Sequence, residues 1–188
     1  GKALRSIFPH ALIESVDTQR AESLDGVVAI LTRDDLKDID PFYGHCLRDR
    51  PLIAIDHVRY VGEPVAVVAA ENGEIADEAL SLIEVRYKEL PVLATVEDAL
   101  SEGSPILHES VAGVGEFHEM GGVGEQRRSN VCHHEHFEKG DIVKGLREAD
   151  EIIEESYEFP MIYHYTMEPH TTVAKYDQQG ITLWTSSA

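Results

Sequence analysis

Two short segments carry side chains that could do chemistry. In Met167-Glu168-Pro169-His170 a carboxylate stands two residues from an imidazole, with His164 just upstream, and such a pair can pass protons as general acid and base. Residues two apart in an extended chain share a face, and Pro169 restricts the backbone between them. Glu168 and His170 could therefore simply pair with each other, or with backbone at a domain joint, and that reading is preferred. The second segment is Cys132-His133-His134-Glu135-His136, where thiolate and imidazole are good zinc ligands. A structural zinc site sets two ligand pairs apart across a loop, whereas these candidates crowd five positions. A solvated polar stretch is preferred, with Cys132, His133 and His136 kept as the alternative metal set. A hydrolase built on Glu168 and His170 lacks a nucleophile, because neither Cys46 nor Cys132 has a sequence context that argues for activation.

Two glycine signals read as structural. Gly62 precedes Glu63, Pro64 and the most apolar run of the chain, where a glycine permits a tight approach or a positive φ. The stretch from Gly113 to Gly124 has neither GxGxxG nor GxxxxGK[ST] order and does not join a strand to a helix, so it is not a phosphate cradle.

The 188 residues are 43% hydrophobic, enough for one good-sized core or two small ones. Sixteen Lys and Arg against 35 Asp and Glu give a formal charge of -19, which repels phosphate backbones and anionic lipid and excludes nucleic acid and membrane as partners. Two cysteines without CxxC spacing suit a reducing compartment, and the cytoplasm is expected. The start at Gly1 and the apolar-and-hydroxyl run before Ala188 are expected of a piece of a longer protein.

The elements that must position these residues follow from periodicity. Ala11 to Val16 and Val27 to Thr32 read as strands, with a short helix over Thr18 to Leu24 between them. Pro64 to Ala70 is almost unbroken apolar sequence, as a strand covered on both faces would be. Asn72 caps a helix with Ile75, Ala79, Leu82 and Ile83 on one side, and Glu84 to Tyr87 returns as a strand. Thr95 to Asp98 has capping-box spacing for a helix with Val96, Ala99 and Leu100 inward. Periodicity then disappears from Ser110 to Gly140. Asp141 caps a helix with Ile142, Leu146 and Ala149 on one face, and Ile152 to Phe159, Thr171 to Tyr176 and Ile181 to Ser186 read as strands, the last two as a hairpin turning at Asp177 to Gly180. The fold class is α+β.

The segments SIFPHALIESVDTQRAESLDGVVAILTRDDL (Ser6 to Leu36), VRYVGEPVAVVAAENGEIADEALSLIEVRYKELPVLATVEDAL (Val58 to Leu100) and SPILHE (Ser104 to Glu109) together resemble the a/b hammerhead domain of molybdenum hydroxylase large subunits, the xanthine dehydrogenase and aldehyde oxidase family. SNVCHHEHFEKGDIVKGLREADEIIEESYEFP (Ser129 to Pro160) and HYTMEPHTTVAKYDQQGITLWTSS (His164 to Ser187) resemble the entry into the first molybdopterin-binding domain of the same subunit. The resemblance implies a hammerhead-like α/β domain over 1-109, a Gly- and His-rich linker over 110-139 and a truncated α+β piece of the cofactor domain over 140-188. It implies molybdopterin with molybdenum in the full-length protein, two-iron two-sulfur clusters and FAD on partner domains or subunits, and water-derived hydroxylation of an aldehyde or N-heterocycle. The chain stops before the family's GGxFGGK-like segment and its catalytic glutamate, so no catalytic residue is assigned and the piece alone is expected to be inactive. Glu168, His170 and Ala188 fall near the cofactor-domain wall, Ala188 where the family often has Gln. Implied partners are the rest of the subunit, the iron-sulfur and FAD subunits or domains and a small-molecule substrate, in a homo-oligomer of the full complex. The alternative is a stand-alone protein-interaction or metal-binding module without redox activity.

Overall fold

The computed structural model describes residues 1–44, 48–109, 130–131, 136–160, 162–163 and 165–186, in two units, Gly1–His136 and Phe137–Ala188. The first unit runs β1 (Lys2–Arg5), β2 (Ala11–Asp17), α1 (Gln19–Glu22), β3 (Val27–Leu31), a 3₁₀ turn (Arg33–Leu36), β4 (Phe42–Tyr43), β5 (Arg50–Pro51), β6 (His57–Val58), β7 (Pro64–Ala70), α2 (Gly73–Leu82), β8 (Glu84–Glu89) and α3 (Val96–Leu100). Two three-stranded antiparallel sheets, ordered β1-β7-β3 and β6-β2-β8, form its frame. With helices beside antiparallel strands, the class is α+β, as expected.

The apolar run expected to be covered on both faces is β7, the middle strand of the first sheet. Ala66 and Val68 are buried against Ala21 of α1 and Ala76 and Ala79 of α2. Val65 points the opposite way, into a second core with Ala11 and Ile13 of β2, Val58 of β6 and Ala54. Period-two alternation therefore feeds one strand into two cores. Helix α2 begins at Asn72, whose side-chain oxygen accepts from the backbone N–H groups of Glu74 (3.0 Å) and Ile75 (2.9 Å). Its buried stripe is Ala76 and Ala79, with Ile83 just past its end, while Ile75 and Leu82 are only half-buried. The two alanines let the helix axis approach the sheet closely, and the larger residues flank that contact.

Gly62 has a φ of +95°, and a Cβ built there would meet nothing within 4 Å, so backbone conformation and not close approach explains it. The turn it makes buries Glu63, which is 4% exposed. The Glu63 carboxylate accepts from the Arg59 backbone N–H at 2.6 Å, and burial holds its carboxyl above the usual range despite that bond and the nearby Arg59 charge.

Helix α3 has the expected reciprocal cap between Thr95 and Asp98, at 3.0 and 3.1 Å. Its expected inward residues Val96 and Leu100 are exposed, because this five-residue helix lies at the periphery. The second unit comprises α4 (Ile142–Glu148), β9 (Thr172–Asp177) and β10 (Gly180–Thr185). The hairpin forms as expected, with Asp177 opposite Gly180 and the Asp177 side chain accepting from Gln179 N–H at 2.8 Å. Asp141 caps α4 through the Lys144 N–H at 2.8 Å, but Ile142 and Leu146 are exposed, as is Ala149. The strand expected over Ile152 to Phe159 does not form, since a strand needs a neighbour to satisfy its ladder and both Ile153 and Phe159 face solvent. Among the described residues no helix is long and apolar enough to cross a membrane.

In β7, Val68→Ala removes two buried methyl groups and should destabilise the chain by roughly 2 kcal/mol in chemical denaturation, while Val28→Ala at an exposed position should stay within about 0.5 kcal/mol. In the turn that feeds β7, Glu63→Ala orphans the Arg59 N–H and should cost about 1–3 kcal/mol. Because the folded-state pKa of Glu63 is raised, its own contribution to stability is fully present below the ordinary carboxylate range and is lost as pH rises through the folded value. Glu63→Gln should flatten that slope in denaturation curves taken across pH.

Candidate functional site

A concavity of the first unit, about 440 Å³, is lined by segments gathered around one end of the β6-β2-β8 sheet. Strand β2 follows directly on His10, β6 supplies His57, the paired strands β4 and β5 supply Phe42 and Pro51, and the chain after α3 supplies Ile106 to Glu109. His10 is buried, and its Nδ1 lies 2.6 Å from the Pro91 carbonyl. A carbonyl only accepts, so Nδ1 carries the hydrogen of that bond. The His57 ring lies 6.3 Å away between centroids. Burial, then the Arg59 charge, pushes its pKa below the ordinary histidine value, which favours a neutral ring at pH 7. Arg59 closes the wall by donating from Nε to the Leu107 carbonyl at 2.7 Å. Asp49, Asp56 and Glu109 add carboxylates to the rim.

Such a cleft can hold a polar ligand between two imidazoles, an arginine and carboxylates. No Ser, Thr, Cys or Lys lines it, so among the described residues covalent chemistry there would fall to its imidazoles and carboxylates. Among the described residues, too, no three His, Cys, Asp or Glu side chains come together to hold a metal ion. Sequence reasoning missed His10 and His57, which are isolated along the chain and meet only because β2 pairs with β6, Leu12 opposite His57.

Asn130 was also missed, since it lies in the stretch without periodicity. Its Nδ2 donates to the carbonyls of Ala99 (3.0 Å) and Pro105 (2.9 Å), and its Oδ1 accepts from the Leu107 N–H (3.0 Å). One side chain thus holds the cleft wall at 105–107.

The residues singled out from the sequence are not brought to this cleft. Glu168 and His170 lie exposed in the second unit, ahead of β9, and make no hydrogen bond or ion pair with a described residue. Between them the Pro169 carbonyl accepts from Ser186 Oγ at 3.4 Å, which ties the segment to the end of the hairpin. His136 is described and exposed. Cys46, Cys132, His133, His134, His164, Ala188 and the run from Gly113 to Gly124 lie outside the described residues.

Residues 1–91 match the family model for the aldehyde oxidase and xanthine dehydrogenase a/b hammerhead domain. Residues 123–188 match the model for a molybdopterin cofactor-binding domain. The chain is 40% identical over 185 residues to a probable xanthine dehydrogenase component of Bacillus subtilis, covering 98% of this chain and 22% of that protein. It is 32% identical over 177 residues to the large molybdopterin subunit of nicotinate dehydrogenase from Eubacterium barkeri, covering 94% of this chain and 37% of that one. Quinoline 2-oxidoreductase from Pseudomonas putida 86 superposes with a TM-score of 0.80 at 27% identity, covering 99% of this chain and 23% of that one. The chain thus spans between about a fifth and just over a third of the length of these relatives.

The described part of residues 123–188 does not by itself fit a phosphate-bearing pterin. Such a group calls for a free helix N-terminus, a glycine nest or a cation. The start of α4 is occupied by the Asp141 carboxylate, Lys144 faces Glu148 and Lys175 pairs with Asp177, which leaves the exposed Lys139 and Arg147 as the other described cations there. The described residues therefore support no catalytic step through that group.

Asn130→Ala should remove three hydrogen bonds at once and cost about 1–3 kcal/mol, with amide exchange rising in 105–109 ahead of the sheets. Uniform exchange across the unit would show that Asn130 has no local clamping role.

Proposed function

Because this chain belongs to the aldehyde oxidase and xanthine dehydrogenase family, we propose that it forms the hammerhead domain and the opening of the cofactor domain in the large subunit of a molybdenum hydroxylase. The observation that carries the reading is the order of the two family matches, hammerhead over 1–91 and cofactor domain over 123–188, within one chain. The whole protein replaces a C–H of an aldehyde or N-heterocycle by C–OH with oxygen from water, releasing two protons and passing two electrons to iron-sulfur clusters and FAD on companion domains or subunits. Relatives named for nicotinate and quinoline support the heterocycle class. Domain limits of 1-109, 110-139 and 140-188, a cytoplasmic location and a homo-oligomeric complex belong to the same proposal. The part played by this chain is positional: β7 and α2 supply a rigid platform, and proton transfer at the reacting carbon falls to residues elsewhere in the subunit.

Glu168, His170 and Ala188 are proposed to stand in the wall of the cofactor domain without acting as acid or base. In the complete protein, Glu168→Gln and His170→Ala should each change kcat by less than about tenfold, whereas a lost general acid or base costs roughly a hundredfold or more. Expression of the complete gene with its neighbours, followed by molybdenum, iron and flavin analysis of the purified complex, tests the main reading. Molybdenum with pterin, iron and flavin is expected. A soluble complex made with cofactor supply and lacking molybdenum would favour the interaction-module alternative.

A further inference from the structure

Two exposed surfaces of this chain differ in chemistry. In the second unit the exposed side chains on the hairpin include Val173, Ile181, Leu183 and Trp184, the composition of a core cut in half, which suits cover by more of the same chain. In the first unit the exposed residues Ile7, Tyr43, Leu52, Tyr60 and Val61, between 50 and 77% accessible, are accompanied by arginines.

The geometry makes these residues neighbours. Gly62 N–H donates to the Ser6 carbonyl at 2.8 Å, Ser6 N–H to the Glu63 carbonyl at 2.9 Å, and Arg5 to the Gly62 carbonyl at 2.8 Å. The Ile7 bend and the Tyr60–Val61 turn are therefore tied side by side. Across the β4–β5 ladder Tyr43 is opposite Arg50 and Phe42 opposite Pro51, and paired residues share a face. Phe42 and Pro51 take the cleft face, which leaves Tyr43 and Arg50 on the other. Burial, then the Glu63 carboxylate, raises the pKa of the Tyr60 hydroxyl, and Tyr43, Arg50 and Arg5 are near enough to act on it as well. Neither Arg5 nor Arg50 makes an ion pair with a described carboxylate, in a chain with 35 acidic residues and a net charge of -19.

We propose that this face, centred on Tyr43, Tyr60 and Val61 and edged by Arg5 and Arg50, docks a companion polypeptide whose surface presents carboxylates around an apolar ridge. Tyrosine and arginine are enriched where separate proteins meet, and lysine and acidic residues are depleted there. A second copy meeting through this same face would oppose its own arginines across a two-fold axis, like charge against like. Nucleic acid and anionic lipid carry the right local charge, but the field of the whole chain repels them. The inference rests on the reading above that the chain works in a multi-subunit oxidoreductase.

The test uses the full-length large subunit purified with the companion subunits encoded beside it. Arg50→Glu with Val61→Asp should weaken retention of one companion roughly tenfold or more in native mass spectrometry across a salt series, while Arg20→Glu with Lys37→Glu should leave it unchanged. Thermal unfolding of the large subunit should be the same for both variants, and Tyr43→Ala serves as a milder second probe if the double variant is unstable. Amide exchange at 5–8, 42–44 and 59–62 should slow only when the companion is bound. Unchanged retention, protection already complete in the large subunit alone, a large subunit that purifies without companions, or self-association through this face would each overturn the proposal. Molybdenum content is read on the same samples, so a failure of the hydroxylase reading is distinguishable from a failure of this docking face.

Discussion

The first unit depends on one strand being apolar on both faces. Because β7 sends Val65 to one side and Ala66 and Val68 to the other, it joins a helix-covered layer to a second sheet without any further connecting element. The constraint propagates. Alanines at 21, 76 and 79 must be small for α1 and α2 to lie close against it, and the turn feeding it must bury a carboxylate where the chain doubles back past Ser6. An apolar residue at 63 could not satisfy the Arg59 N–H, so the position calls for a polar acceptor even though burial works against the charged form of the one it has.

How far this was legible in the sequence depends on whether the determining interaction was local. β7, the Asn72 cap, the Thr95–Asp98 box and the Asp177–Gly180 hairpin all follow from neighbouring residues, and they form where expected. The two-residue strands β4, β5 and β6 carry no period to detect and exist only because partners elsewhere pair with them. The opposite failure occurred over Ile152 to Phe159, where the sequence has strand character but no partner strand among the described residues. Propensity without a partner does not make a strand.

The candidate site shows the same division more sharply. Glu168 and His170 attracted notice because they are two residues apart, yet they sit exposed in the second unit. His10 and His57 attracted none because 46 intervening positions separate them in sequence, although topology sets their rings 6.3 Å apart. Family resemblance reads the whole pattern at once, which is why it identified the family while residue-by-residue reasoning did not find the cleft.

The Asn130 clamp has a consequence for how the chain tolerates change. By bonding to 99, 105 and 107 it ties three positions of the chain to a single side chain. All three partners are backbone groups, so none of these bonds reads the identity of the side chain at 99, 105 or 107. Those positions are free to vary while the cleft wall keeps its place, as long as the asparagine survives.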